Sequence, residues 1–316
     1  MSDLAKPLHG TEPDTVDEWA AAIDESWDSF DWEPHEKSAS VDGRKINYVE
    51  LGDPTKPVLL FIHGIMGTWR NWIFNLLPFC DRYRVIALDL PGFGDSEMPA
   101  DKLTMENYAK AVKGFCDNLG IQQVTLIGNS MGGLIGALVA KSTPELLHKL
   151  VLVDAAGFST ANRYLRRITR YRRFLNAFFA FGYLIRKVIA ANKYLAAAFT
   201  KIVLWRPMNI SSELILVLLS GIGKPGFVDA ARSIAFTRID RAPGEITTET
   251  MIIWGRNDSL IPKRDAFRYA KMLPDARLEL MEDTGHIPMF ETPDDFNALI
   301  EDFAAGEIAA TASSAA

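Results

Sequence analysis

Two cysteines, Cys80 and Cys116, are all that the 316 residues carry. A single pair supplies neither a multi-bridge disulfide framework nor a four-cysteine zinc site. They read as reduced thiols, as expected of a cytoplasmic protein. Long apolar runs are missing too. The longest uncharged stretch in the aromatic-rich middle of the chain, 174–185, has 12 residues, short of the roughly 20 that span a bilayer as a helix. The opening residues lack a basic segment followed by an apolar one, so no secretory signal is expected. There is no G-x-G-x-x-G after the first strand-like run and no G-x-x-x-x-G-K-[ST] loop. The acids and the five histidines lack metal-ligand spacing. Neither a cofactor nor a metal is therefore expected. With 48% hydrophobic and 23% charged residues, the chain is not disordered, collagen-like or a coiled coil.

What is present is unevenly charged. The formal net charge of −6 conceals an arm, residues 1–36, with eleven acids and one base, Lys6. Val16, Trp19, Ile23, Trp27 and Phe30 recur there at spacings of three and four, which predicts one apolar face of an amphipathic helix. This acidic arm, taken as 1–39, either packs on its own domain or binds a partner. Residues 160–206 carry eleven bases, Arg163 through Arg206, and no acid. Phenylalanines and leucines are interleaved with them. An apolar lid with a basic rim would have this composition. So would a segment drawn to an anionic membrane, peripherally on its inner face. A third reading lays the acidic arm on the basic segment. No nucleic-acid partner is expected, because the apolar content is too high.

The body alternates strand and helix. Apolar, β-branched runs at 58–62, 84–88, 123–127, 149–153, 250–254 and 277–281 predict strands buried on both faces. A hairpin around Asp42-Gly43 precedes them, and helices are expected over 104–119 and 132–142. The series breaks after the sixth strand. The predicted fold class is α/β, with a mostly parallel central sheet, helices on both faces and a helical cap inserted at that break. Boundaries follow: a core of 40–155 and 245–303, a cap of 156–244 and a small, aperiodic tail of 304–316. Within the cap, Leu214 to Leu219 predicts a helix over a pocket. The loop from Ser220 to Gly226 is read as a connector or as a hinge.

Chemistry-bearing residues gather after strand ends, where open α/β sheets bind ligands. Gly128-Asn129-Ser130-Met131-Gly132 is a G-x-S-x-G between a strand and a helix, the context that exposes a nucleophilic serine; alone, it could equally be a helix-packing segment. Asp258 follows the strand at 250–254, and His286 follows the strand at 277–281. Asp154, after the sixth strand, is the rival acid. Together with Phe61-Ile62-His63-Gly64 and Asp89-Leu90-Pro91-Gly92-Phe93-Gly94-Asp95-Ser96, these motifs resemble the α/β-hydrolase superfamily. The resemblance extends over 40–155 and 245–303.

That resemblance implies a triad of Ser130, His286 and Asp258, with the N–H groups of Ile65 and Met131 as the oxyanion hole. It also implies that His63 braces its loop, while Asp89 and Asp95 shape theirs. Related dehalogenases and epoxide hydrolases carry aspartate in place of the serine, which Ser130 argues against. The segment GHIPMFE resembles serine esterases and monoacylglycerol lipases. The expected substrate is therefore a small-molecule ester, with an apolar acyl group. GNSMGG resembles hydrolases that cleave carbon–carbon bonds of ring-cleavage products, although those generally have tryptophan where Ile287 stands. A hydrolase-like ligand receptor is the reading from another class.

Overall fold

The computed structural model describes residues 30–159, 181–207, 211–242, 244–273 and 275–305. The expected arm helix, apart from Phe30, lies outside the described residues, as do the arginine-rich start of the cap and most of the tail. Eight strands form one sheet: β1 (Glu36–Val41), β2 (Arg44–Leu51), β3 (Val58–Ile62), β4 (Arg84–Leu88), β5 (Val124–Asn129), β6 (Leu147–Val153), β7 (Glu249–Gly255) and β8 (Arg277–Met281). Their order is β1-β2-β4-β3-β5-β6-β7-β8. β2 runs antiparallel to both of its neighbours, and the pairs from β4 to β8 are parallel.

The central strands show why continuous apolar runs settle here. Successive side chains of a strand point to opposite faces. Leu60 and Ile62 of β3 join one apolar layer, together with Leu126 and Leu150. Leu59 and Phe61 join the other, with Ile127 and Val151. Both layers are roofed by helices. The α-helices among the described residues are α1 (Ile73–Leu76), α2 (Met105–Asn118), α3 (Met131–Ser142), α4 (Gly182–Ala190), α5 (Lys193–Thr200), α6 (Ser212–Leu218), α7 (Phe227–Phe236), α8 (Arg264–Met272), α9 (Pro288–Glu291) and α10 (Pro293–Ala304). The layer of Leu60 lies under α2, α3 and α8. The layer of Phe61 lies under the Trp69–Leu76 segment and α10.

Four of these helices, α4 to α7, come between β6 and β7, where the cap is expected. A small apolar cluster of Ile189, Ala190, Ala196, Ile215, Leu219 and Ile222 holds α4, α5 and α6 together. The loop of Ser220 to Gly226 is pinned rather than free-standing: the Gly221 N–H donates to the Met66 carbonyl at 2.6 Å and the Gly226 N–H to that of Gly92 at 2.9 Å. Those bonds tie it to two loops of the core, which favours the connector reading over the hinge. Among the described residues, no helix is long and apolar enough to cross a membrane.

Candidate active site

β5 ends at Asn129 and α3 begins at Met131, so Ser130 alone makes the turn. Its φ of +57° is a left-handed value that a non-glycine residue adopts only where its surroundings enforce it. The enforcement is visible. The Ser130 N–H donates to the Val153 carbonyl at 2.8 Å, and the Ser130 carbonyl accepts from Leu134 and Ala156. Glycines allow the close approach: a Cβ on Gly132 would collide with the Ile62 carbonyl, and one on Gly128 with that of Gly132.

Ser130 and His286 line the same pocket, along with Ile65, Met66, Val203 and Leu218. His286 Nδ1 lies 2.7 Å from Asp258 Oδ2, and the Asp258 side chain is fully buried. The other carboxylate oxygen, Oδ1, accepts the N–H groups of Leu260 and Ile261 at 2.7 and 2.9 Å. Asp258 is thus held by its own loop and aimed at the imidazole. Met131 opens α3, so its N–H belongs to the first turn of the helix, beside Ser130. Ile65 contributes to the wall of the same pocket.

The rival acid is close but differently employed. Asp154 is fully buried with φ of +44°, and its Oδ1 accepts the Gly255 N–H at 3.0 Å. Its Oδ2 has no hydrogen-bond partner. Burial first, and then the Asp258 charge, push the Asp154 carboxyl well above its ordinary range, toward the protonated form. A proton on Oδ2 would give that orphaned oxygen a bond to donate. Oxygen and nitrogen atoms of Asp154, Asp258 and His286 lie within 4.8 Å of one another. A set of this kind could hold a cation, but the short Nδ1–Oδ2 contact commits the imidazole to Asp258.

The loops around the site follow the expected division of labour. His63 accepts the Leu90 N–H at Nε2, 3.0 Å, and its Nδ1 meets the Gly64 carbonyl at 2.7 Å. Both ring nitrogens are therefore occupied with backbone, and burial lowers the pKa; the ring is a neutral brace. Asp89 accepts from the Trp69 and Asp95 N–H groups and from the Asn47 side chain, which fixes the turn after β4.

Three residues were not singled out from the sequence. Asn129 Nδ2 donates to the His286 carbonyl at 3.1 Å and to that of Val153 at 3.3 Å. It ties the serine turn to the histidine loop. Glu291 accepts the Gly285 N–H at 2.7 Å and the Trp205 N–H at 2.6 Å. Burial raises its pKa to about 7 against the pull of those donors. Val203, from the cap, accepts the His286 N–H at 2.8 Å. Only Asn129 left a signal, as the variable residue inside G-x-S-x-G.

Residues 57–293 match the alpha/beta hydrolase fold family. This chain belongs to the α/β-hydrolase family. As an α/β-hydrolase it is 30% identical, over 82% of its length and 90% of the relative's, to a 2-hydroxy-6-oxo-6-phenylhexa-2,4-dienoate hydrolase of Comamonas testosteroni. It is 29% identical to the dihydrolipoyllysine-residue acetyltransferase component of the acetoin cleaving system of Cupriavidus necator, over 83% of this chain and 67% of that one. Among solved structures, a membrane phospholipase A described as a bacterial virulence factor superposes with a TM-score of 0.66 at 26% identity, covering 92% of each chain. Relatives of this α/β-hydrolase therefore include enzymes named for different bonds. The family makes the chain a hydrolase without choosing the bond.

Proposed function

We propose that the protein is a serine hydrolase of carboxylic esters, acting through Ser130, His286 and Asp258. The observation that carries this reading is the strained serine turn sharing a pocket with a histidine whose Nδ1 is bonded to a buried carboxylate. Asp258 holds the imidazole with its proton on Nδ1, leaving Nε2 as the base. Ser130 Oγ bonds to the ester carbonyl carbon while its proton passes to Nε2. The oxyanion is met by the Ile65 and Met131 N–H groups, donors of a kind that contributes about 2.7–4 kcal/mol each. The alcohol leaves with the proton from Nε2. Water then adds to the acyl-serine, its proton goes to Nε2 and on to Oγ, and the acid is released.

Substrate preference is read from the wall. Ile65, Met66, Val203, Leu218, Leu260 and Ile287 all line the pocket, which suits an apolar acyl group. Similarity to a phospholipase structure supports a lipid ester. The similarity to a dienoate hydrolase supports a second reading, carbon–carbon bond hydrolysis. A panel of graded p-nitrophenyl esters, acylglycerols and a ring-fission dienoate tests both. Ester turnover, with fluorophosphonate labelling lost in Ser130→Ala, is the expected result. Turnover of the dienoate alone would replace the ester reading with the second one.

A further inference from the structure

The helices of the cap are apolar on more sides than they bury. In α4, Ile189 and Ala190 face the cluster shared with α5 and α6, and Ile185 packs against it. Phe181, Leu184 and Val188 are spaced by three and four and stand on the other side. They are exposed, Phe181 by 66%. α5 repeats the arrangement: Ala196, Ala197 and Thr200 are buried, whereas Tyr194, Leu195, Phe199 and the following Ile202 are exposed, Tyr194 by 67%. Seven of the twelve large apolar side chains exposed among the described residues fall within 181–202. Soluble surfaces ordinarily scatter such groups singly.

The segment that carries this patch has charges of one sign. No aspartate or glutamate occurs between Asp154 and Glu213. Lys187, Lys193 and Lys201 are exposed among the apolar groups. Lys193 lies over the Tyr194 ring at 5.2 Å and Lys201 over the Trp205 ring at 4.4 Å. A second copy of the chain would bring the same cations against themselves across a two-fold contact. A nucleic acid would match the charge and leave the apolar groups unmatched. An anionic bilayer matches both, because aromatic and aliphatic groups enter the headgroup boundary while lysines reach the phosphates.

We propose that the outward faces of α4 and α5 form a docking surface for an anionic lipid bilayer. The position of the patch gives docking a purpose. Ile202 faces outward and its neighbour Val203 is 3% exposed, lines the serine pocket and accepts the His286 N–H. Consecutive residues thus face the docking surface and the serine pocket. This rests on the ester-hydrolase reading for its substrate, a lipid ester supplied from the bilayer, while docking itself is measured without turnover.

The test is flotation of the full chain with vesicles of phosphatidylcholine and phosphatidylglycerol in equal parts, and with phosphatidylcholine alone. The parent is expected to float with the anionic vesicles and to be released by high salt. Lys187→Gln with Lys193→Gln weakens partitioning by about 30-fold, from about 1 kcal/mol per lysine. The triple variant Leu184→Glu, Val188→Glu, Phe199→Glu no longer floats, keeps the parent's melting temperature to within a few degrees and turns over p-nitrophenyl acetate at the parent rate. A parent that stays in the aqueous fraction overturns the proposal. So does a triple variant that floats like the parent, or one that converts a dimer to a monomer without any vesicle effect. Flotation without turnover of any ester defeats the ester reading alone. Ester turnover without flotation defeats the docking surface alone.

Discussion

The sheet and the cap treat apolar side chains in opposite ways. Leu59, Leu60, Phe61 and Ile62 of β3 are fully buried, with alternate residues entering alternate layers. α4 has apolar residues on two sides and covers one. Burying both sides of an element fixes where it sits, and at about 25 cal/mol per Å² of apolar area it commits that free energy to folding. Burying one side leaves the remainder for whatever the surface meets. The difference places Ser130 and the proposed triad on the part of the molecule that cannot easily yield, and the apolar excess on the part beside the pocket.

Substitutions that test this contrast span a wide range of effect. Ser130→Ala is expected to have the largest, a loss of kcat of about 10⁶-fold with folding retained, measured on a soluble ester. Next comes the comparison between the two buried acids. Asp258→Asn should lower kcat by about 10⁴-fold, because the imidazole loses its anionic partner. Asp154→Asn keeps a neutral donor and should stay within about tenfold, a smaller cost than losing the triad carboxylate. Equal losses in the two variants would break the division of roles between these neighbours.

The third prediction concerns Glu291, which links the two regions. Its pKa is raised from 4.5 to about 7, so the folded state holds the proton more tightly than the unfolded chain. Its contribution is full below about pH 4.5 and is lost as pH rises through 7, by up to about 3 kcal/mol. Glu291→Gln should flatten that part of the stability profile in urea melts at pH 5, 6, 7 and 8. The smallest effects separate core from cap directly. Gly132→Ala should cost about 1–3 kcal/mol, because its Cβ meets the Ile62 carbonyl. Val188→Glu, on the exposed side of α4, should change stability by less than about 0.5 kcal/mol.

Much of the fold was legible because local pattern and tertiary burial agree. The expected strands at 58–62, 84–88 and 277–281 are β3, β4 and β8 without adjustment, and the Asp42-Gly43 hairpin is β1 and β2. β5, β6 and β7 differ from expectation by only one or two residues at their ends. Ser130, Asp258 and His286 were legible because each follows a strand that the apolar pattern locates. Glu291 and Val203 were not. Their bonds join the histidine loop to a cap segment some 80 residues earlier in sequence, and a carboxylate that accepts backbone N–H groups leaves no periodic trace. Nor could spacing alone choose between Asp154 and Asp258. Both follow strands, and it is the 2.7 Å contact with His286 that singles out Asp258.

The Val203 carbonyl has a mechanical consequence. It accepts the His286 N–H, while the Glu291 carboxylate accepts both the Trp205 and the Gly285 N–H groups. Residues 203–205 are therefore a hinge post rather than a door. Lifting the whole cap would strip His286 of its Val203 partner and Glu291 of its Trp205 partner, so any widening of the pocket that spares this arrangement has to leave residues 203–205 seated.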